Sequence, residues 1–488
     1  MATLNVKNRT LFTGDNLDVM RGMNSHCVDL IYLDPPFNSN RDYAAPIGSE
    51  AAGAAFKDTW TLSDVDVAWI GLIADRDPAL AHIIESAGLA HGKSMQAYLT
   101  MMAVRLLEMR RILRPSGSIY VHCDPTASHY LKLVMDCVFG SSWFRNELVW
   151  KRTTSHSDAK RYASVSDRLL FYASDSATWH TQHLPFRKTY LSSHYSNEDE
   201  RGRYQVGDLT GSGLRDGESG EPWGGYDPSG IGRHWGVPSK GAYAQWIEEN
   251  LIPGYKSMPG VHARLDALSG VGLVHWTKTG TPRLKRYLQA SHGEAVSDFI
   301  SDILNVNHMS KEHVGYPTQK PLALLERIIK ASSNESDVVF DPFCGCATAL
   351  VAAEKLDRNW IGIDLSALAV RLVLSRLEQA ADDGALLQGG RLPDVHHRKD
   401  IPKRTDVGEL PPYKTHRHTL YGKQEGNCAG CGIHFPFRNL TVDHIVPQSR
   451  GGTDHLENLQ LLCGACNSMK GTISQAAFHA KLTKQGLR

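Results

Sequence analysis

The sequence predicts an α/β fold: an open sheet with helices on its faces, interrupted by an irregular insertion and followed by a small module pinned by cysteines. Three observations predict it. The run Val338-Val339-Phe340-Asp341-Pro342-Phe343-Cys344-Gly345-Cys346-Ala347-Thr348 is apolar, stops at an acid, turns through small residues and passes into a helical pattern at 349–356. About twenty residues past that turn a second apolar run, Trp360-Ile361-Gly362-Ile363, ends on Asp364, the spacing of nucleotide-holding units. A third strand pattern, 28–33, delivers Asp34-Pro35-Pro36-Phe37 to its carboxyl end, the edge where ligands bind in open α/β sheets.

Length and composition bound the rest. A chain of 488 residues has room for two or three domains, and its 41% hydrophobic and 22% charged content is ordinary for a globular protein. The net charge of +1 hides an asymmetry: residues 413–488 carry nine Lys/Arg against four Asp/Glu, a net +5. That tail suits a polyanion partner, or is a solvated basic face. No apolar run is long enough to span a membrane and the first residues lack a signal-peptide core, so a cytoplasmic protein with no membrane partner is expected. In that compartment nine cysteines, four of them in two paired clusters, argue for metal rather than disulfides.

Taken in order, residues 9–15 read as a short strand whose last residue, Asp15, can cap the helix that follows. After Asp34-Pro35-Pro36-Phe37, residues 44–92 form an alanine-rich insertion with Trp60 and Trp69. Within it, Ala87-Gly88-Leu89-Ala90-His91-Gly92-Lys93-Ser94 fits a loose phosphate-loop pattern, but a helical pattern precedes it, the wrong context. Residues 97–113 and 130–139 read as helices, with strands at 118–124, 147–154 and 167–172. The loop with Lys151, Arg152, His156, Lys160 and Arg161 suits phosphates or plain solvent. Residues 201–236 hold eleven of the 43 glycines, interleaved with aromatics and arginines. Such backbone is expected to lack an easy core of its own and to mould to DNA grooves or remain a structural insertion. Gly315-Tyr316-Pro317-Thr318-Gln319-Lys320-Pro321 opens a helix at 322–331, and a helix start suits an anionic ligand group. A helix at 366–381 follows.

The residues 341–348 resemble the S-adenosylmethionine loop of amino-group DNA methyltransferases, and Asp34-Pro35-Pro36-Phe37 resembles their catalytic tetrapeptide. With the catalytic motif first and the cofactor loop last, residues 8–380 are similar to the permuted, beta group. The resemblance implies a Rossmann-like methyltransferase sheet. Asp34, Pro35, Pro36 and Phe37 would be catalytic, and Asp15, Thr318, Gln319, Lys320, Asp341, Phe343, Gly345 and Asp364 would surround S-adenosylmethionine. Domains are then expected at 1–180 (catalytic half), 181–305 (target recognition), 306–383 (cofactor half), 384–412 (linker) and 413–488. Where the family has glycine, this reading finds Cys346, which puts close backbone approach at that residue in question. Double-stranded DNA is the implied partner. Adenine N6 is favoured over cytosine N4 because the tetrapeptide starts with Asp rather than Ser.

Cys428-x-x-Cys431 and Cys463-x-x-Cys466 have the spacing of a four-thiolate zinc site. The residues between and after them, Asp443-His444, Gly451-Gly452, Asn458 and Asn467, resemble the HNH nuclease family with its ββα-metal fold. That likeness implies His444 as general base, Asn458 orienting the hairpin, and Asp443 with Asn467 holding a catalytic Mg2+ or Mn2+. Asn467 stands where the family name expects His, which keeps an oxygen donor for a hard cation. The expectation is a methyltransferase with an HNH nuclease in restriction-modification. The alternative is a zinc module that only binds DNA. One active site per chain implies nicking, unless two chains pair as a homodimer on DNA.

Overall fold

Strand Val28–Leu33 is buried at every position but Asp29, because helices cover the sheet on both faces around it. The computed structural model describes residues 3–36, 42–44, 55–57, 73, 77–154, 162–307, 309–310, 312–316, 318–382, 394–406 and 412–487. Phe37, Trp60, Trp69, His156, Lys160, Arg161 and Pro317 lie outside them.

Two compact units divide the chain, Thr181–Val296 and the remainder. The larger is built on a nine-stranded sheet in the order Phe299–Ile300, Phe144–Lys151, Ser166–Ala173, Leu113–Cys123, Val28–Leu33, Val338–Asp341, Asn359–Asp364, Thr10–Thr13, His396–Arg398. Among these, only Ser166–Ala173 runs against its neighbours. Alternate residues of each strand serve two separate cores. Ile31, Ile119, Val121 and Phe340 face the helices Lys93–Ile112 and Ser128–Phe139. Leu30, Tyr120, Leu169 and Val339 face Leu322–Ser332, Thr348–Lys355 and Leu368–Asp382. The phosphate-loop look-alike at 87–94 lies across the helices Pro78–His91 and Lys93–Ile112, as its context indicated.

Two boundaries differ from the sequence reading. Phe299–Ile300 pairs with Val149 and Trp150, so the expected insertion 181–305 hands the chain back to the main sheet before residue 305. His396–Arg398, read as linker, is the edge strand beside Thr10–Thr13. Three residues are too short for their pattern to mark a strand, and pairing with a distant segment made this one.

The smaller unit also departs from expectation, since it has its own core. A four-stranded antiparallel sheet (Val274–Trp276, Pro282–Tyr287, Gly202–Asp208, Asn197–Asp199) packs with the helices Gly241–Asn250 and Val261–Gly270 around Tyr204, Trp235, Ile247, Leu265, Leu268 and Tyr287. The glycine-rich stretch contributes aromatics to that core, where Trp223 meets Trp235 edge to face, while the helices after residue 240 supply the aliphatic half. No helix among the described residues is long and apolar enough to cross a membrane.

Candidate functional site

At the carboxyl ends of the strands Thr10–Thr13, Val28–Leu33, Val338–Asp341 and Asn359–Asp364 lies a cavity of about 490 Å³. Asp34, Pro35 and Pro36 share its wall with Asp15, Thr318, Gln319, Lys320, Asp341, Phe343, Gly345 and Asp364. Two motifs three hundred residues apart thus meet in one space, which every described member of the expected methyl-transfer set lines.

The cofactor-loop residues are organised by carboxylates accepting from backbone. Asp341 Oδ1 accepts from Phe343 N–H at 3.0 Å, and burial, followed by the charges of Asp34 and Asp364, pushes its carboxyl well above the usual range. Asp364 accepts from Gly345 N–H at 2.9 Å and Ser366 N–H at 2.8 Å, so it ties the turn to the next strand end. Burial raises Asp364 as well. Gly345 has φ +49°, and a Cβ there would lie 3.1 Å from the Tyr316 ring. Cys346 is not among the left-handed residues; Ala347, the next one, is, at φ +62°. Cys346 is instead a buried residue whose carbonyl accepts from the buried Arg376 at 2.8 Å, and Arg376 also donates to Thr348 Oγ1 at 2.8 Å.

Asp15 both caps helix Asn16–Gly22, accepting from Leu17 N–H at 2.9 Å, and pairs with Arg105 at 3.0 Å. Sequence reasoning missed Asn16 and Arg105. Asn16 donates to the Pro342 carbonyl at 2.8 Å and accepts from Arg105 Nε at 2.6 Å, bracing the cofactor loop from the first helix. In the loop before helix Leu322–Ser332, Gln319 spends its amide on its own segment, accepting from Val314 N–H at 3.0 Å and donating to the Glu312 carbonyl at 2.5 Å. Lys320 reaches across to the Asp34 carboxylate. Asp34 Oδ2 takes that ammonium, and Asp34 Oδ1 is buried with no hydrogen-bond partner among the described residues.

Behind Asp34 runs a buried polar chain that no motif marked. Tyr32 hydroxyl meets His122 Nδ1 at 3.1 Å, His122 Nε2 meets Asp167 Oδ2 at 3.3 Å, and Arg152 Nε donates to Asp167 Oδ1 at 2.9 Å. Burial, and after it the charge of Asp34, pushes the Tyr32 phenol well up, which keeps it a donor. Against its own desolvation, the His122 bond holds Asp167 below the ordinary carboxylate range. Arg152, read from sequence as facing phosphates or plain solvent, pairs with Asp167 in this chain.

The C-terminal module is a hairpin, Leu440–His444 with Leu459–Cys463, followed by helix Gly464–Lys470. The sulfurs of Cys428, Cys431, Cys463 and Cys466 all lie within 4.8 Å of one another, close to what thiolates around a single zinc require. Cys428 Sγ accepts from Gly430 N–H at 3.4 Å and Cys463 N–H at 3.3 Å, the kind of support a metal thiolate uses. Asn458 bonds both ways to Val446 (2.9 and 3.1 Å) and to the Thr453 carbonyl at 2.9 Å, holding the loop between the strands. His444 Nε2 lies 2.7 Å from Asp454, a residue sequence reasoning missed because it sits in the glycine loop ten positions on. Asp443 Oδ2 takes the buried Lys470 ammonium at 2.9 Å and Gln460 Nε2 at 3.0 Å, while Asp443 Oδ1 carries neither contact. Asn467 lies on the same helix as Lys470.

Comparison with known proteins finds a family match for each of the two regions. Residues 28–375 match the family model described as DNA methylase, and residues 428–472 match HNH endonuclease. The Type II methyltransferase M.EcaI of Enterobacter cloacae is 33% identical over 57% of this chain and 57% of its own length. The Type III restriction-modification enzyme StyLTI Mod subunit of Salmonella typhimurium is 28% identical over 73% of this chain and 51% of its own. The DNA adenine methyltransferase YhdJ of Escherichia coli is 32% identical over 36% of this chain and 59% of its own. The chain thus spans little more than half the length of these relatives. It belongs to the DNA methylase family, and it carries an HNH endonuclease domain beyond the methylase region.

Proposed function

We propose that the cavity at the strand ends methylates an exocyclic amino group of double-stranded DNA, adenine N6, and that the C-terminal module is a nuclease acting on unmodified DNA, as in restriction-modification. The observation that carries the first half is the Asp34 carboxylate on the wall of a cavity built by the cofactor-loop residues, its Oδ1 a buried acceptor that no donor among the described residues meets. The cavity suits a nucleoside with an amino-acid tail: Asp364 stands at a strand end for ribose hydroxyls, Gly345 leaves the turn without a side chain, and Asp15 and the segment at 318–320 line the same space. S-adenosylmethionine bound there supplies a methyl on sulfonium, which goes to nitrogen while sulfur keeps the bonding pair and the amino group gives up one proton.

The chain's own residues make nitrogen a nucleophile. An exocyclic amino lone pair is delocalised into the base ring, so the group attacks poorly. Acceptors aimed at its hydrogens, Asp34 carboxylate and Pro35 carbonyl, favour a pyramidal nitrogen whose lone pair is free. The prolines stiffen that turn, and Phe37 would stack on a base swung out of the helix. Adenine is favoured by the leading Asp34 and by the adenine activity that the name of one relative carries.

In the nuclease module, Cys428, Cys431, Cys463 and Cys466 would hold structural zinc. Asp443 and Asn467 offer oxygen donors for Mg2+ or Mn2+, a cation that would take up charge on the phosphate. His444, held by Asp454, takes a proton from water. The Lys470–Asp443 pair supports a second reading, a zinc module that binds DNA without cutting, because an ammonium already compensates the metal-binding acid.

Tritiated methyl transfer to unmodified DNA tests the first half. Asp34→Ala abolishes transfer and keeps cofactor binding; Asp364→Ala weakens cofactor binding by about 1–3 kcal/mol through the lost ribose bonds. Normal transfer by Asp34→Ala would sink the assignment.

A further inference from the structure

Four carboxylates, Asp15, Asp34, Asp341 and Asp364, line the same cavity. Two of the described lining residues are cationic, and they serve different acids: Arg105 goes to Asp15, Lys320 to Asp34. Lys320 is 8% exposed and Asp34 18% at the side chain, so this is a largely desolvated ion pair, and removing one partner strands a charge. The lysine also donates to the Thr318 carbonyl at 3.2 Å, which fixes the ammonium from its own loop. Its backbone carbonyl accepts from Thr348 Oγ1 at 3.3 Å, at the start of the helix that follows the cofactor loop. Lys320 is therefore held at both ends, and its head is aimed at Asp34 rather than out into the cavity.

From this geometry we propose that Lys320 is a positioning residue for the catalytic aspartate and not a ligand of the cofactor's carboxylate. It takes Asp34 Oδ2, sets the rotation of the carboxylate, and leaves Oδ1 as the acceptor for the amino hydrogen of the target base. Among the described residues no donor meets Oδ1, so the amino group can reach it without displacing one of their side chains. The ammonium also sets a positive charge beside Asp34 in a cavity whose wall Asp341 and Asp364 share. Lys320 reaches Asp34 from 286 positions away, across the junction between the catalytic and cofactor halves. Assembly of the two halves and alignment of the acceptor are then one event.

This inference rests on the methyl-transfer reading, and the test separates the two. Full-length wild type, Lys320→Met, Lys320→Arg and Asp34→Ala are compared by steady-state tritiated transfer to unmodified DNA and by calorimetric binding of S-adenosylmethionine. Expected for Lys320→Met is a fall in kcat on the order of 100-fold from a misplaced acceptor, with the cofactor Kd within about threefold of wild type. Lys320→Arg, which can rebuild the pair, recovers a tenth or more of the lost rate, roughly, because a guanidinium also binds carboxylate. A cofactor Kd raised about tenfold or more with kcat kept at saturation would make Lys320 a cofactor ligand and overturn the proposal. Unchanged kcat would overturn it too, as would a joint loss of rate, binding and thermal midpoint that arginine does not rescue. If Asp34→Ala itself transfers normally, the methyl-transfer reading fails rather than the role of Lys320 alone.

Discussion

At the scale of single residues, the cofactor loop shows how far a motif can be read without its backbone. Cys344-Gly345-Cys346-Ala347 is a run of small residues, and any of them can take a tight turn. The structure puts the left-handed conformations at Gly345 and Ala347, and only Gly345 is suited to its place. An alanine in that region costs about 1–2 kcal/mol relative to relaxed backbone, and Ala347 is also the cap position of helix Thr348–Lys355. Ala347→Gly should therefore stabilise the protein by up to about 1 kcal/mol, part of the relief being lost to the freer unfolded chain. Urea unfolding monitored by tryptophan fluorescence checks it, and a lowered midpoint would show that packing of the alanine methyl outweighs the strain. The residues of this loop were legible in the sequence, but the left-handed conformation of Ala347 was not, because residue size does not encode φ. The polar chain Tyr32–His122–Asp167–Arg152 was illegible for a different reason. Its members sit on three neighbouring strands and a strand end, and nothing in their spacing announces that they meet.

At the scale of elements, the C-terminal module was the most legible part of the chain. Paired cysteines separated by two residues fix turn geometry locally, and a hairpin followed by a helix is what brings the second pair to the first. Its core of Leu420, Leu440, Leu461, Leu462, Phe478 and Leu482 is small, so the metal should supply much of its stability. Metal analysis is expected to find about one zinc per chain in the purified protein. Changing Cys428 and Cys463 together to serine should remove it and unfold this module while methyl transfer continues. A metal-free module that keeps its fold would contradict that. Less legible were the partners of the reactive side chains. Asp454 on His444 and Lys470 on Asp443 lie on a loop and a helix whose approach depends on the folded hairpin. Nicking of unmethylated plasmid in Mg2+ or Mn2+ without ATP, abolished by His444→Ala, is the expected behaviour. Supercoiled plasmid left intact by the wild type, on DNA the same protein methylates, would favour the binding-only reading that the Lys470 pair supports.

At the scale of the whole molecule, parallel strands with short helical crossovers were readable because each strand is apolar and each ends on a chemically loaded turn. The single antiparallel strand and the late edge strand His396–Arg398 were not, since strand direction and edge pairing are decided by tertiary contact. The smaller unit was misjudged for the same reason: its glycines suggested loose backbone, yet Trp235, Tyr204 and Tyr287 close a core with helices further along the chain. Two halves of a methylase separated by an independently packed unit, with a basic module of net +5 after them, describe a protein whose binding to DNA should weaken steeply as salt rises. The central claim, amino methylation of adenine in DNA, is tested most directly by sequencing with modified-base detection. The DNA comes from cells expressing wild type or Asp34→Ala in a background without other methylases. The account predicts N6-methyladenine at one recurring sequence in the wild type and none in the variant. Methylation confined to cytosine N4, or the same adenine pattern in both strains, would contradict it.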